Sequence, residues 1–384
     1  MKFIHLGDLH IGKIVNEINM IPDQKYILDQ IFDLAIKEKA DAVMIAGDIY
    51  DKSIPSEEAV KLLDEFLRKL AKAHIMVFAI SGNHDSDERL NFGASLFSAS
   101  DIYIRSKYEG KIARVDAEDD YGVVHIWMLP FVKASSVRYY YPEEEISSYD
   151  AAIRTAIAKA DIKKEERNII LAHQFVTNEG YDPETAGSEN TASEFVGTVE
   201  KVDVNVFDDF DYVALGHIHR PQKIGRDTAR YSGSPLKYSL SEIGYTKSVP
   251  LVTMQEKGNV KVELVPLKPL RDMRRIKGKM SDLLKPENIV EPEDYLQVIL
   301  TDEDIIPDAI SRIRAYYPNV MKLSYENSHT KELENFDFMT ITQQTLFEDL
   351  MKDFYKKVKG GEPSEEEWQI LNEVAREAGV KNEA

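Results

Sequence analysis

Several short apolar runs end in the same way, and no other feature of the sequence restricts the fold as strongly. "KFIHL" (2–6) leads into Gly7, Asp8, Leu9 and His10, and "DAVMIA" (41–46) into Gly47 and Asp48. "IMVFAI" (75–80) leads into Ser81, Gly82, Asn83, His84 and Asp85. "NIILA" (168–172) is followed by His173, and "YVAL" (212–215) by Gly216, His217, Ile218 and His219. Runs that are apolar throughout suit strands covered on both faces. "HIWML" (125–129) is a sixth candidate of this kind. Between the runs lie helical patterns. Residues 26–37 set Ile27, Ile31, Leu34 and Ala35 on one side, and residues 56–72 do so with Val60, Leu63, Phe66, Leu67 and Leu70. Alternation of this sort predicts a layered α/β domain. In such sheets the carboxyl ends of the strands line up and form the ligand crevice. Five separate segments therefore deliver Asp, Asn or His to one edge.

Taken singly, each segment has an ordinary explanation: Asn-His-Asp is good turn chemistry, and a lone His often caps a carbonyl. Their conjunction at strand ends is what points to a metal centre. Five of the nine histidines stand in these positions, and Gly precedes the polar group in four of the five segments, where it permits a sharp turn and close approach. Two carboxylates, one amide oxygen and four imidazoles exceed what one tetrahedral ion needs. They suit two divalent ions with mixed oxygen and nitrogen ligands and a shared carboxylate. Two such ions against Asp8 and Asp48 leave a positive pocket that recruits phosphate and activates water, so hydrolysis of a phosphoester is the expected reaction. This bears on composition. The formal net charge is −19, whereas a chain that binds DNA through its own surface tends to be basic. Bound cations would supply the missing positive charge. Thiol nucleophiles, disulfides and zinc ribbons are excluded because there are no cysteines. No run is long enough to span a bilayer, and the start, "MKFIHLGDLH", lacks the pattern of a signal peptide, so no membrane is expected as a partner and the expected location is cytoplasmic, at the nucleoid.

After residue 266 the texture changes. "RDMRRIKGKM" is basic, "DYLQVILTD" and "VMKLSYE" read as strands, and "IPDAISRIRAYYP" between them reads as a helix. The expected organisation is a main domain over 1–270, a small α+β domain over 271–328, a polar linker over 329–342 and a helical pair over 343–384. In that pair Leu346, Phe347, Leu350 and Phe354 recur at helical spacing, Ser364 and Glu367 form a capping box, and Trp368 and Leu371 lie on the helix that follows.

"GDLH", "GDIYD", "GNHD", the His in "LAHQ", and "GHIH" resemble, in order, the five-part signature of the calcineurin-like metallophosphoesterases. "GDIYDKSIPS", "YSGSPLKYSLSE" and "PLRDMRRIKG" narrow the resemblance to the SbcD family of double-strand-break repair nucleases, and the similarity spans nearly the whole chain. The resemblance implies a four-layer α/β/β/α sandwich with an α+β capping domain and C-terminal helices. It implies one ion held by Asp8, His10, Asp48 and His219 and a second by Asp48, Asn83, His173 and His217, with Asp48 bridging. Mn²⁺ is the expected metal, with Mg²⁺ or others also compatible. His84 would reach toward the scissile phosphate and Asp85 would orient its imidazole. Asp51 stands where other members of the wider family carry His, and no catalytic role is assigned to it.

The family also implies partners. The apolar residues of 56–72 and 88–99 would build a two-fold homodimer, or else serve only core packing. The C-terminal residues Leu346, Phe347, Leu350, Phe354, Trp368 and Leu371 would grip an SbcC-type ATPase, or else fold back on the chain. Arg271, Arg274, Arg275 and Lys277 form the best basic cluster for DNA phosphates. The expected activity is 3′→5′ double-strand exonuclease and single-strand or hairpin endonuclease action in DNA repair, recombination and replication. A phosphatase or small phosphodiesterase with the same centre, and a scaffold that binds DNA ends without cutting, are the alternatives.

Overall fold

The computed structural model of the chain describes residues 1–188, 201–328, 351–352, 355 and 361–377. It divides into two compact units, Met1–Arg274 and Arg275–Ala384. In chain order the first unit carries β1 (Lys2–Leu6), α1 (Ile21–Glu38), β2 (Ala42–Ala46), α2 (Glu57–Lys72), β3 (Met76–Ile80), β4 (Ile102–Arg105), β5 (Ala113–Asp119), β6 (Gly122–Leu129), α3 (Tyr149–Ala158), β7 (Arg167–His173), β8 (Tyr212–Gly216), β9 (Gln222–Ile224), β10 (Arg226–Tyr231), β11 (Ser248–Met254) and β12 (Val260–Pro266).

The strands form two six-stranded sheets, ordered β12-β11-β1-β2-β3-β4 and β9-β10-β8-β7-β6-β5. All six candidate strands of the two sheets are present, and each is an inner strand with at least one parallel neighbour. The antiparallel edge strands are not evident in the sequence, because β5 and β12 alternate half-buried with exposed residues and carry many charges. One face of each sheet packs on the other. Phe3, Met44, Phe78 and Val252 from the first meet Ile126, Ile169, Leu171 and Tyr212 from the second in one dry core. On the far side of the second sheet, Ala152, Ile153 and Ala156 of α3 pack against Ile170, Val213 and Leu215. Helices α1 and α2 pack on each other, and α2 also packs on β3. The result is four layers, helix, sheet, sheet, helix, as expected.

The helix starts have local causes. Ser56 precedes α2 and its hydroxyl accepts from the Ala59 amide at 3.2 Å. Helix α1 begins five residues before the apolar pattern does, because Pro22 sits in its first turn, where a missing N–H costs nothing. Registers then align the strand ends. Leu6 pairs with Ile45, Ala46 with Ile80, and His173 with Gly216.

In the second unit, strand β13 (Met273–Gly278, whose first two residues belong to the first unit), β14 (Tyr295–Leu300) and β15 (Val320–Tyr325) form a three-stranded sheet with β14 in the middle. Leu296, Val298, Ile313, Tyr317 and Val320 fill its core. The helix read from "IPDAISRIRAYYP" is confined to Ala309–Arg314, since Asp308 before it has φ 54°. Farther on, the Ser364 amide donates to Glu367 at 2.9 Å and the Glu367 amide to the Ser364 hydroxyl at 3.3 Å, the reciprocal cap read from the sequence, opening the helix Glu365–Glu377. Among the described residues no helix is long and apolar enough to cross a membrane. Leu346, Phe347, Leu350, Phe354 and the 329–342 linker lie outside the described residues.

Candidate metal centre

At the carboxyl edge of the sandwich the two sheets approach so closely that side chains are excluded. His173 Nδ1 lies 2.7 Å from the Ala46 carbonyl oxygen, tying the second sheet to the first. A Cβ on Gly216 would sit 1.9 Å from that same oxygen, and one on Gly47, at φ +87°, 2.3 Å from His173 Nδ1. Glycine is required at both positions by contact with atoms that cannot move aside.

The loops that leave these strands are stitched to one another. Asp8 N donates to Gly47 O at 3.1 Å and His10 N to Asp48 O at 2.9 Å. His217 N donates to Asp8 Oδ1 at 2.8 Å, and His84 N to Asp48 Oδ1 at 2.9 Å. Each carboxylate thus spends one oxygen on a backbone amide of another loop. Asp8, His10, Asp48 and His217 all have positive φ, at 52°, 43°, 48° and 98°. Non-glycine residues in that region cost about 1–3 kcal/mol each and persist where surrounding structure enforces them, most often at functional sites.

These constraints bring the candidate ligands together. Ligand atoms of Asp8, His10 and His219 lie within 4.8 Å of one another, as do those of Asp8, Asp48 and His173. His10 Nε2 is 3.0 Å from His219 Nε2. Asn83 Oδ1 is 3.1 Å from His173 Nε2 and 3.0 Å from His217 Nδ1. Asp48 Oδ2 stands between the groups, 3.4 Å from His173 Nε2 and 3.7 Å from His10 Nε2. Asp8, His10, Asp48, His173 and His219 are buried, His84 and His217 half-buried, and Asn83 exposed. The centre has a buried floor and a rim open on the Asn83–His84 side.

The donor set fits divalent cations. A carbonyl only accepts, so His173 Nδ1 must carry the proton toward Ala46, and Nε2 then turns its lone pair on the oxygens of Asn83 and Asp48. Acceptors facing acceptors need a cation among them. Without a metal, a proton takes that place. Burial pulls the His173 imidazole down, but the charge of Asp48 and the hydrogen bond to it prevail and push it up to about 9. Burial would raise Asp48, yet His173 and then His10 hold it well below the carboxylate range. Burial also lowers His10 to about 3 and His219 well below the usual range, so both stay neutral with lone pairs available.

The neighbourhood of His84 differs from expectation. The Asp85 carboxylate accepts from the amides of Ile49 (3.0 Å), Tyr50 (2.9 Å) and Gly82 (2.9 Å). It clamps the "GNHD" loop to the "GDIYD" loop, while His84 Nδ1 lies 3.2 Å from the Asp51 carbonyl oxygen. Asp51 also pairs with Lys13 at 2.7 Å and lies 3.5 Å from His10 Nδ1, so it is no solvated loop carboxylate. Sequence reasoning misses Gln24 altogether. Its side chain donates to His10 O at 2.7 Å and bonds Tyr238 at 3.0 Å, holding the loop that carries Asp8 and His10. The available signal is an amide on the stripe that Ile27, Leu28 and Ile31 make apolar.

Arg271 corrects the reading of the basic cluster. Its guanidinium forks onto the fully buried Asp23 carboxylate, which commits it to the fold rather than to phosphate. Arg274 is half-buried, while Arg275, bonded to Gln297 at 2.8 Å, and Lys277, paired with Glu326 at 2.7 Å, are exposed. On the partner side, Trp368 and Leu371 are half-buried, Ile370 and Val374 exposed.

The family profile of the calcineurin-like phosphoesterases matches residues 1–221. A profile described as the type 5 capsule protein repressor C-terminal domain matches residues 269–359. The chain is 35% identical over 362 residues to the SbcD component of the nuclease SbcCD from Staphylococcus epidermidis, covering 93% of each. A solved dimetal phosphatase from Danio rerio is similar over 70% of this chain and 99% of that one, at 12% identity and a TM-score of 0.40, a likeness from which no functional conclusion follows. With an ordered set of oxygen and nitrogen ligands on the strand ends and a relative matched over nearly its full length, the chain belongs to the calcineurin-like phosphoesterases and, within them, to the SbcD family.

Proposed function

We propose that the chain is the metal-dependent DNA nuclease component of an SbcCD-type complex, cleaving phosphodiesters as a 3′→5′ double-strand exonuclease and a single-strand or hairpin endonuclease. The observation that carries this is the convergence of ligands from five strand ends, with four of those ligands at positive φ. Asp8, His10, Asp48 and His219 hold one ion, and Asp48, Asn83, His173 and His217 the other, with Mn²⁺ the favoured metal. Bound there, the ions supply Lewis acidity, an activated water and charge to balance the phosphate. The protein's own part is positional. His84, half-buried on the open rim with Nδ1 3.2 Å from the Asp51 carbonyl oxygen, would present its imidazole to the phosphate or its leaving oxygen. Asp85 acts by fixing the loop that presents it.

Residues 1–270 serve as the nuclease body, 271–328 as a cap on DNA through Arg275 and Lys277, and 329–342 as the link to helices over 343–384 that bind an SbcC-type ATPase. Exposed Ile370 and Val374 support that last role. Homodimerisation through 56–72 and 88–99 is supported by Phe92 and Leu96, which are 84% and 76% exposed, and by Val60 at 45%. The remaining large apolar residues of α2 are buried within the protomer.

The test is cleavage of an end-labelled blunt duplex and of an aryl phosphomonoester by the pure chain with Mn²⁺, alone and with chelator. Chelator-sensitive cleavage of the duplex supports the nuclease, and turnover of the monoester alone would make it a phosphatase. Binding of DNA ends without any hydrolysis would leave a scaffold.

A further inference from the structure

Outside the expected ligands, one closed ring of polar groups surrounds His219. Glu242 and Lys247, both buried, form an ion pair through Glu242 Oε2. Lys247 Nζ also donates to the His219 carbonyl at 2.8 Å and to Ser234 Oγ at 2.8 Å. Glu242 Oε1 accepts from Ser188 Oγ at 2.7 Å and from the Tyr238 amide at 3.1 Å. Ser188 Oγ is 2.6 Å from His219 Nδ1, which closes the ring.

The directions of these bonds follow from counting protons. A carboxylate paired with lysine only accepts, so the single hydroxyl proton of Ser188 goes to Glu242. Toward His219 the serine oxygen can then only accept, and Nδ1 must carry a proton. Nε2 is left with its lone pair, 3.0 Å from His10 Nε2, where an ion would sit. We propose that Ser188 and Glu242 are positioning residues that set the tautomer and ring orientation of His219 for metal binding. Lys247 fixes the same residue through its main chain.

Residues 184–188 are clasped at several points by the chain after His219. Glu184 N donates to Gln222 Oε1 at 3.0 Å and Gln222 Nε2 to Glu184 O at 2.7 Å. Arg220 pairs with the Glu184 carboxylate, and the Ser241 hydroxyl donates to Ala186 O. The contacts that hold 184–188 therefore also hold Ser188 beside His219.

The inference rests on the metal-centre reading above, and two measurements separate them. The first is ¹⁵N NMR of the histidine rings in the chelated full chain. His219 is expected to carry its proton on Nδ1, with Ser188→Ala giving mixed tautomers and Ser188→Thr restoring the single form. The second is Mn²⁺ titration by calorimetry. Ser188→Ala should weaken one of the two sites about 10- to 100-fold, the range for loss of an outer partner of a ligating histidine. The other site should stay within about threefold of its original affinity. Metal-free melting should fall, because Ser188→Ala takes one partner from each of two buried groups, and Ser188→Thr should recover both the stability and the lost affinity. An unaltered His219 tautomer in Ser188→Ala overturns the proposal, as does equal weakening by Ala and Thr. Failure of the unsubstituted chain to bind Mn²⁺ overturns the metal-centre reading, while the tautomer measurement still decides the role of Ser188.

Discussion

His84 and His173 show how differently two histidines of one centre are used. His84 lies on the open rim with one nitrogen on a carbonyl, whereas His173 is buried with one nitrogen on a carbonyl and the other among oxygens. Replacing His84 by Gln should lower the single-turnover cleavage rate by at least about 10²-fold, as for loss of a positioned acid–base group. Mn²⁺ affinity by calorimetry should be unchanged, and a parallel loss of metal would remove His84 from the phosphate-facing role. The pH dependence belongs to His173. Its metal-free value, about 9, lies above the ordinary 6.5. The pair with Asp48 therefore stabilises the metal-free fold fully from above the ordinary carboxylate range up to about pH 6.5, and that contribution fades as pH rises through about 9. A metal must displace this proton, so apparent Mn²⁺ affinity should climb about tenfold per unit between pH 6 and 8 and level off near 9. Titrations in buffers of different ionisation enthalpy will count the proton released, and a flat affinity across that range would contradict the assignment.

Among the elements, β13 and its approach contain the most instructive difference between sequence and structure. Five cations in "RDMRRIKGK" read as one patch, yet the partners that divide them come from distant segments, Asp23 from α1 and Gln297 from β14. Arg271→Ala would strand a buried carboxylate and should cost about 3 kcal/mol in urea unfolding, the low end for breaking a buried pair on one side. It should leave the salt dependence of DNA binding unchanged. Lys277→Ala should do the reverse, leaving stability within about 0.5 kcal/mol and lowering the slope of log affinity against log salt by about one. If Arg271→Ala changes the slope and not the stability, Arg271 belongs to the DNA surface after all. The helix starts are plainer in the sequence, since a Ser56 or Ser364 cap bonds within four residues and needs no tertiary partner.

For the protein as a body, two proposed associations can be tested, one with metal ions and one with a second copy of the chain. Ions that bind the folded chain and not the unfolded one add about 2.7 kcal/mol at a hundredfold excess over the dissociation constant. The melting temperature should rise with Mn²⁺ and fall back with chelator, and the rise should vanish when Asp48, the proposed bridging carboxylate, is replaced by Ala. Phe92 and Leu96 lie outside any core and their substitution touches no internal packing. Phe92→Asp with Leu96→Asp should convert a sedimenting dimer to a monomer with unchanged melting. A pair of substitutions that leaves the sedimentation coefficient untouched would return this surface to ordinary solvent.

The inner strands, the caps and the polar residues that converge at the strand ends could all be read along the chain. Their signals, apolar runs, a hydroxyl three residues before an acceptor, and Gly-Asp or Gly-His at a run's end, arise between near neighbours. Edge strands such as β5 and β12 could not, since their half-exposed charged residues look like any surface segment until a partner strand is beside them. Nor could the division of labour among polar residues. Asp85 as a loop clamp, Arg271 as the counter-ion of Asp23, and Ser188 as the bridge from His219 to Glu242 each depend on atoms dozens to hundreds of residues away. A side chain's type limits the bonds it can make, but the packing of the two sheets chooses its partner.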